Sequence, residues 1–218
     1  MRILTEFNAR YALAKIRGKV KHGFALDITG DIDKPAEIDF NVLEEWIKLA
    51  SEKSGRQPIL YVLANPIDAF LKLKDYVDGK AVFGVHGIEH VHQYELSNDE
   101  MEKQYSALSV YSNRFRAPYL GGATNLRMLR IVAKHFKFDS SSTSSKAHKE
   151  PFAPFPLIPD FYEYPVMLSD TVLRKVHTPE EGYRIVQKTI NSCKSRNHHC
   201  TLLLHPNQFV MDMFQHWN

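Results

Sequence analysis

The chain alternates short apolar runs with stretches of helical periodicity almost from end to end, and that pattern restricts its fold more than any single motif does. An apolar run bounded by turn residues and too short for a core helix reads as a buried strand. Strands separated by amphipathic helices pair in parallel, so the pattern predicts an α/β architecture. Strands are expected at 23–27 (GFALD), 59–63 (ILYVL), 81–85, 114–119 (RFRAPY), 136–139, 162–166 and 201–205 (TLLLH). Between them, a helix over 40–53 places Leu43, Trp46, Ile47 and Ala50 on one stripe and stops before Gly55. A short helix starts at Pro66 and carries Phe70 and Leu71. Ser97 and Glu100 form a capping box ahead of Met101, Tyr105 and Leu108, and a further helix over about 124–135 bears Leu126, Leu129 and Ala133. Thr178-Pro179-Glu180-Glu181 opens the last expected helix, which runs through Ile190.

The serine tract 140–145 and the proline-rich stretch 151–159 are the least regular parts, suited to a loop or the rim of a site. Phe152, Phe155, Phe161 and Tyr162 read as packing beneath that loop rather than as a sugar groove. With no internal repeat and no dividing linker, residues 1–218 are expected to form one domain.

Composition removes several classes of function. Lys and Arg number 28 against 25 Asp and Glu, a formal charge of +3, and no run of five basic residues occurs, so no nucleic-acid partner is expected. The apolar stretches at 58–65 and 201–204 fall far short of the roughly 18 residues of a membrane span. The first residues lack the apolar core of a secretory signal, which leads to the expectation of a cytoplasmic protein. Cys193 and Cys200 are too widely spaced for a zinc knuckle and read as reduced structural thiols. Nothing in the sequence indicates an oligomeric state.

In α/β folds reactive groups gather where strands end, so the polar residues at those ends carry the functional information. They are Asp27 in LDITGDID, His86 and His90 in HGIEH, Arg116 in FRAPY and His205 in LLLHP. If the chain turns helical after its strand, His86 and His90 lie on one face and reach a single divalent ion. Asp27 and Asp31 are the nearby carboxylates that can complete three protein ligands and leave a position open to water.

These segments, LDITGD at 26–31, HGIEH at 86–90, RAPY at 116–119 and LLLHP at 202–206, stand in the order of the motifs of the NodB-type polysaccharide deacetylases, carbohydrate esterase family 4. The chain resembles a divergent member of that family over about residues 22 to 207. The resemblance implies an irregular (β/α) barrel of about seven parallel strands with a metal at its carboxyl-terminal mouth. It implies a metal-dependent hydrolase of carbon–nitrogen amide bonds, most simply one that deacetylates an N-acetylated sugar or other small acyl-amine. The implied cofactor is a divalent ion, zinc first, with cobalt or nickel as alternatives. By motif position, Asp27 is the base, His86 and His90 are ligands, Arg116 orients the base and His205 protonates the departing amine. Pro118 and Tyr119 form the substrate-binding wall and a backbone donor.

The sequence departs from the family where the aligned motif carries its second carboxylate. Thr29 stands there, so Asp31 becomes the third metal ligand, Asp27 takes that role, or the metal site is weakened. The last outcome is the alternative reading, a catalytically silent barrel that binds a carbohydrate or protein partner.

Overall fold

The computed structural model describes residues 23–120, 126–143, 155–158, 160–175 and 177–217. Its strands are β1 (Leu26–Ile32), β2 (Ile59–Val62), β3 (Val82–Val85), β4 (Arg114–Phe115), β5 (Phe138–Asp139), β6 (Phe155–Ile158), β7 (Phe161–Glu163), β8 (Val166–Ser169) and β9 (Cys200–Leu203). The helices are α1 (Phe40–Ser54), α2 (Ile67–Val77), α3 (Asn98–Ser109), α4 (Leu126–His135), α5 (Asp170–Leu173), α6 (Pro179–Ser195) and α7 (Gln208–Gln215).

All these strands join one sheet in the order β6-β7-β5-β4-β3-β2-β1-β9-β8. Only β6 runs antiparallel to its neighbour; the other pairings are parallel. β7 pairs with β5 and β8 with β9, yet only Tyr164 and Pro165 separate β7 from β8 in the chain. The sheet must therefore roll up. A bridge from Thr143 to Val166 and a 2.8 Å bond from the Val166 amide to the Ser142 carbonyl join the continuation of β5 to β8. With 161–169 taken as one interrupted strand, the parallel wall consists of β1 to β5, that segment and β9, the irregular barrel expected from the sequence.

β1 differs from expectation in a way that matters for the site. It was expected over 23–27 but runs from Leu26 to Ile32, straight through Gly30. Alternate residues of a strand share a face, so Asp27, Thr29 and Asp31 form one inward column while Ile28 and Ile32 join the apolar core. A polar interior face and a glycine give this strand the composition of a turn. Gly30 sits in tight packing: a Cβ there would lie 3.1 Å from the Trp46 ring and 3.2 Å from Pro206, closer than most Cβ contacts. Gly84 has the same role opposite Tyr61 in the β2–β3 register, where a Cβ would come within 2.6 Å of the Tyr61 ring.

The helices follow their sequence signatures. α1 buries Leu43, Trp46, Ile47 and Ala50, is capped by the Asp39 carboxylate and ends at Gly55 with φ of 72°. Capping boxes open α3 at Ser97 and α6 at Thr178. Cys193 and Cys200 are buried and unbridged. Phe152, with residues 144–154 and 159 of the serine and proline-rich stretches, lies outside the described residues. No described helix is long and apolar enough to cross a membrane.

Candidate metal centre and active site

Because the strands are parallel, their carboxyl ends bring together residues far apart in sequence. β1 leads to Asp31 and Asp33, β3 to His86, β4 to Arg116, β5 to Ser140 and Ser141, and β9 to His205. After β3 the chain bends instead of entering a helix, with Gly87 at φ of 98°, and the His86 and His90 rings still approach to 5.8 Å between centroids.

Asp33, His86 and His90 each offer a ligand atom, and these atoms lie within 4.8 Å of one another. Asp33 Oδ1 is 3.4 Å from His86 Nε2 and 3.3 Å from His90 Nε2, buried, and without a hydrogen-bond partner among the described residues. His86 Nδ1 donates to the Arg116 carbonyl at 2.9 Å. A neutral His86 therefore presents its lone pair at Nε2, facing the carboxylate. Burial, reinforced by neighbouring His86, outweighs the pull of Asp33 and lowers the pKa of His90 below the ordinary imidazole value, which favours a neutral ligand. A His86 lone pair facing a buried carboxylate oxygen leaves a place that a cation fits, and two imidazoles with one carboxylate are a set that divalent zinc takes readily. The donor set fits a metal.

Beside this group, Asp31 accepts from Arg116 Nη1 at 2.7 Å through Oδ1, and its Oδ2 stands 3.8 Å from His86 Nε2. Burial alone would raise its pKa, but Arg116, His86 and His205 outweigh that effect and hold the carboxyl below its ordinary range. The completely buried guanidinium of Arg116 is itself fixed on every side. Nε donates to the Ser140 carbonyl at 3.0 Å, Nη2 to Ser140 Oγ at 2.9 Å, and the Tyr61 ring lies 4.2 Å from Cζ. Ser141 Oγ accepts from the Ala117 amide at 2.8 Å and donates to Asp139.

His205 stands on the other flank. Its Nδ1 donates to Asp170 Oδ1 at 2.6 Å, and Asp170 also accepts from Asn207 Nδ2 at 2.8 Å. Burial disfavours the imidazolium, yet the bonded Asp170 carboxylate together with Asp31 and Asp33 raises the His205 pKa above its ordinary value. Pro118 is buried, while the half-exposed Tyr119, at φ of 60°, lays its ring 4.3 Å from the rings of His90 and His92.

Of the residues expected to converge, His86, His90, Arg116, Asp31, His205, Pro118 and Tyr119 belong to this end of the barrel. Asp27 does not. Four residues earlier on β1 it sits roughly 13 Å away along the strand, bonded to His199 Nε2 at 2.7 Å and to Arg56 at 2.9 Å. Placing the end of β1 at Asp27 set the acidic motif four residues too early. Asp31-Ile32-Asp33 is the pair of carboxylates at the true strand end, with Asp33 in the ligand group where Asp31 was expected and Asp31 held by Arg116 where Asp27 was expected. Thr29 is a wall residue whose hydroxyl donates to the Leu202 carbonyl at 2.9 Å. Asp33, Asp170 and Ser140 were missed; Asp33 and Asp170 each follow a strand end in sequence, the same signal that found the histidines.

No protein-family model matches the sequence, and no curated protein matches it. Solved structures do. A protein assigned as a polysaccharide deacetylase from Mycobacterium smegmatis superposes with a TM-score of 0.68 at 15% identity, over 91% of this chain and 84% of that one. An allantoinase gives 0.65 at 9% identity, over 89% and 83%. A family 4 carbohydrate-esterase pseudoenzyme from Bacillus anthracis gives 0.59 at 13% identity, over 90% of this chain and 60% of that one.

Proposed function

We propose that this chain, whose fold is that of the polysaccharide deacetylases, is a metal-dependent hydrolase of amide-type carbon–nitrogen bonds, acting on an N-acetylated sugar. The observation that carries the reading is the convergence of Asp33, His86 and His90 between a buried carboxylate and a carboxylate-held imidazole. A divalent ion held by those three residues, zinc first, would polarise a carbonyl and make water more acidic. Asp31, kept ionised by Arg116, accepts the proton that the attacking water loses as its oxygen bonds to the acyl carbon. Arg116, fixed by Ser140 and Tyr61, keeps the Asp31 oxygen in place. His205, protonated at Nε2 and anchored through Nδ1, gives a proton to the nitrogen as the carbon–nitrogen bond breaks, so the products are a carboxylate and an amine. Tyr119 and Pro118 border the approach to the acyl group.

The silent-barrel alternative drew its support from Thr29. With carboxylates at 31 and 33, the threonine no longer stands in for a missing ligand.

The test combines elemental analysis of the purified protein with acetate release from N-acetylated sugar oligomers. Stoichiometric metal and acetate release are expected from the wild type. A protein that takes up no divalent metal refutes the ligand assignment, and a metal-loaded protein that releases no acetate refutes the substrate.

A further inference from the structure

The other end of the barrel holds a cavity of about 310 Å³ lined by Asp27, Arg56, Gln57, Ile59, Val82, Arg114, Tyr164 and His199. These residues stand at or just before the first positions of β1, β2, β3, β4, β8 and β9, so the cavity is the amino-terminal mouth, away from the metal centre. Asp27 is the one carboxylate in its lining. It is already engaged by His199 at 2.7 Å and by one nitrogen of Arg56 at 2.9 Å. Burial opposes its ionisation, but His199, Arg56 and Arg114 overcome that and hold it below the ordinary carboxylate range.

Two guanidinium groups against one carboxylate leave a positive excess even with His199 neutral. Arg114 carries the excess: among the described residues no carboxylate lies within ion-pair distance of its guanidinium, which rests 4.5 Å over the Phe138 ring. Arg56 is half exposed and uses one nitrogen on Asp27, so its remaining donors point to a path from solvent. The Tyr164 ring, edge-on to His199 at 5.3 Å, stands beside them.

We propose that this amino-terminal cavity binds a small oxyanion, a phosphate or a carboxylate, between Arg114 and Arg56, with the Asp27–His199 pair as its floor. A planar fork of N–H donors matches either group in the same bidentate way, and an opening partly lined by apolar side chains strengthens the pairing. The volume suits an ion or a short-chain acid. None of these residues takes part in the proposed hydrolysis.

The experiment titrates the metal-loaded full chain with inorganic phosphate and, separately, with acetate, by calorimetry at constant ionic strength. One saturable site is expected, and the probe that saturates it names the class. Arg114→Gln should weaken it by about tenfold or more through loss of a charge-assisted pair. Asp27→Asn should tighten it, because a competing negative charge is removed, and a gain of affinity cannot come from misfolding. His86→Ala should leave it intact, which separates this site from anion binding at the metal. Absence of saturable binding by both probes overturns the proposal. So does binding that disappears in His86→Ala, or binding that neither Arg114→Gln nor Asp27→Asn alters.

Discussion

Asp31 and Asp33 are two residues apart and differ in what their oxygens are left to do. Asp33 Oδ1 faces two imidazole nitrogens with no donor of its own, whereas Asp31 Oδ1 is committed to Arg116. Asp33→Ala and His86→Ala are accordingly expected to abolish metal uptake, measured by elemental analysis after dialysis against zinc. Asp31→Asn should keep the metal and lower acetate release by about 10²–10⁴-fold, the usual contribution of a positioned base; a variant that retains wild-type turnover would remove Asp31 from that role. The acid side gives a pH signature. If His205 is the acid, as proposed, turnover needs its proton, and because Asp170 helps raise its pKa, activity should persist above the ordinary imidazole value of about 6.5 and then fall as pH rises. Asp170→Asn should move that alkaline limb to lower pH, which a pH–rate profile of kcat reads directly.

At the scale of elements, close approach is bought with missing side chains. Gly30→Ala drives a methyl group toward Trp46 and Pro206 and should cost about 1–3 kcal/mol in denaturant unfolding. Gly84→Ala pushes the Tyr61 ring, on which the Arg116 guanidinium rests, so it is expected to lower turnover as well as stability. Thr178→Ala should cost about 1 kcal/mol through the α6 cap. The helices and their caps were legible because capping and a single buried stripe are local devices. β1 was not, because it buries polar groups on its inward face, and a strand with Asp27, Thr29, Gly30 and Asp31 in it resembles a loop until its barrel is present. With β1 running to Ile32, the carboxylates at its end are Asp31 and Asp33, not Asp27. The Ser140 contacts to Arg116 were hidden for the opposite reason: a run of serines looks like a flexible rim, and only the three-dimensional path of β5 shows that Ser140 and Ser141 are buried.

The whole molecule joins distant segments: β1 lies against β9, with Asp27 opposite Thr201 and Thr29 opposite Leu203. Metal that binds the ligand group and not the unfolded chain should stabilise the fold by mass action. At a hundredfold excess over Kd this is about 2.7 kcal/mol, or roughly 5–10 °C in Tm for a chain of this size; an unchanged melting curve after chelation would contradict a folded-state metal site. The segment that closes the barrel, 161–169, also has a chemical consequence. It delivers Asp170 immediately after its last strand residue, and Asp170 is the group that holds His205. The ligand side of the mouth is carried by β1 and β3, which pair through β2 without that segment. A chain whose seam has not yet zipped thus has the parts to capture an ion and lacks the anchored proton donor. Under the proposed function competence arrives with the final strand, so opening the seam is expected to stop turnover while sparing the ligand group.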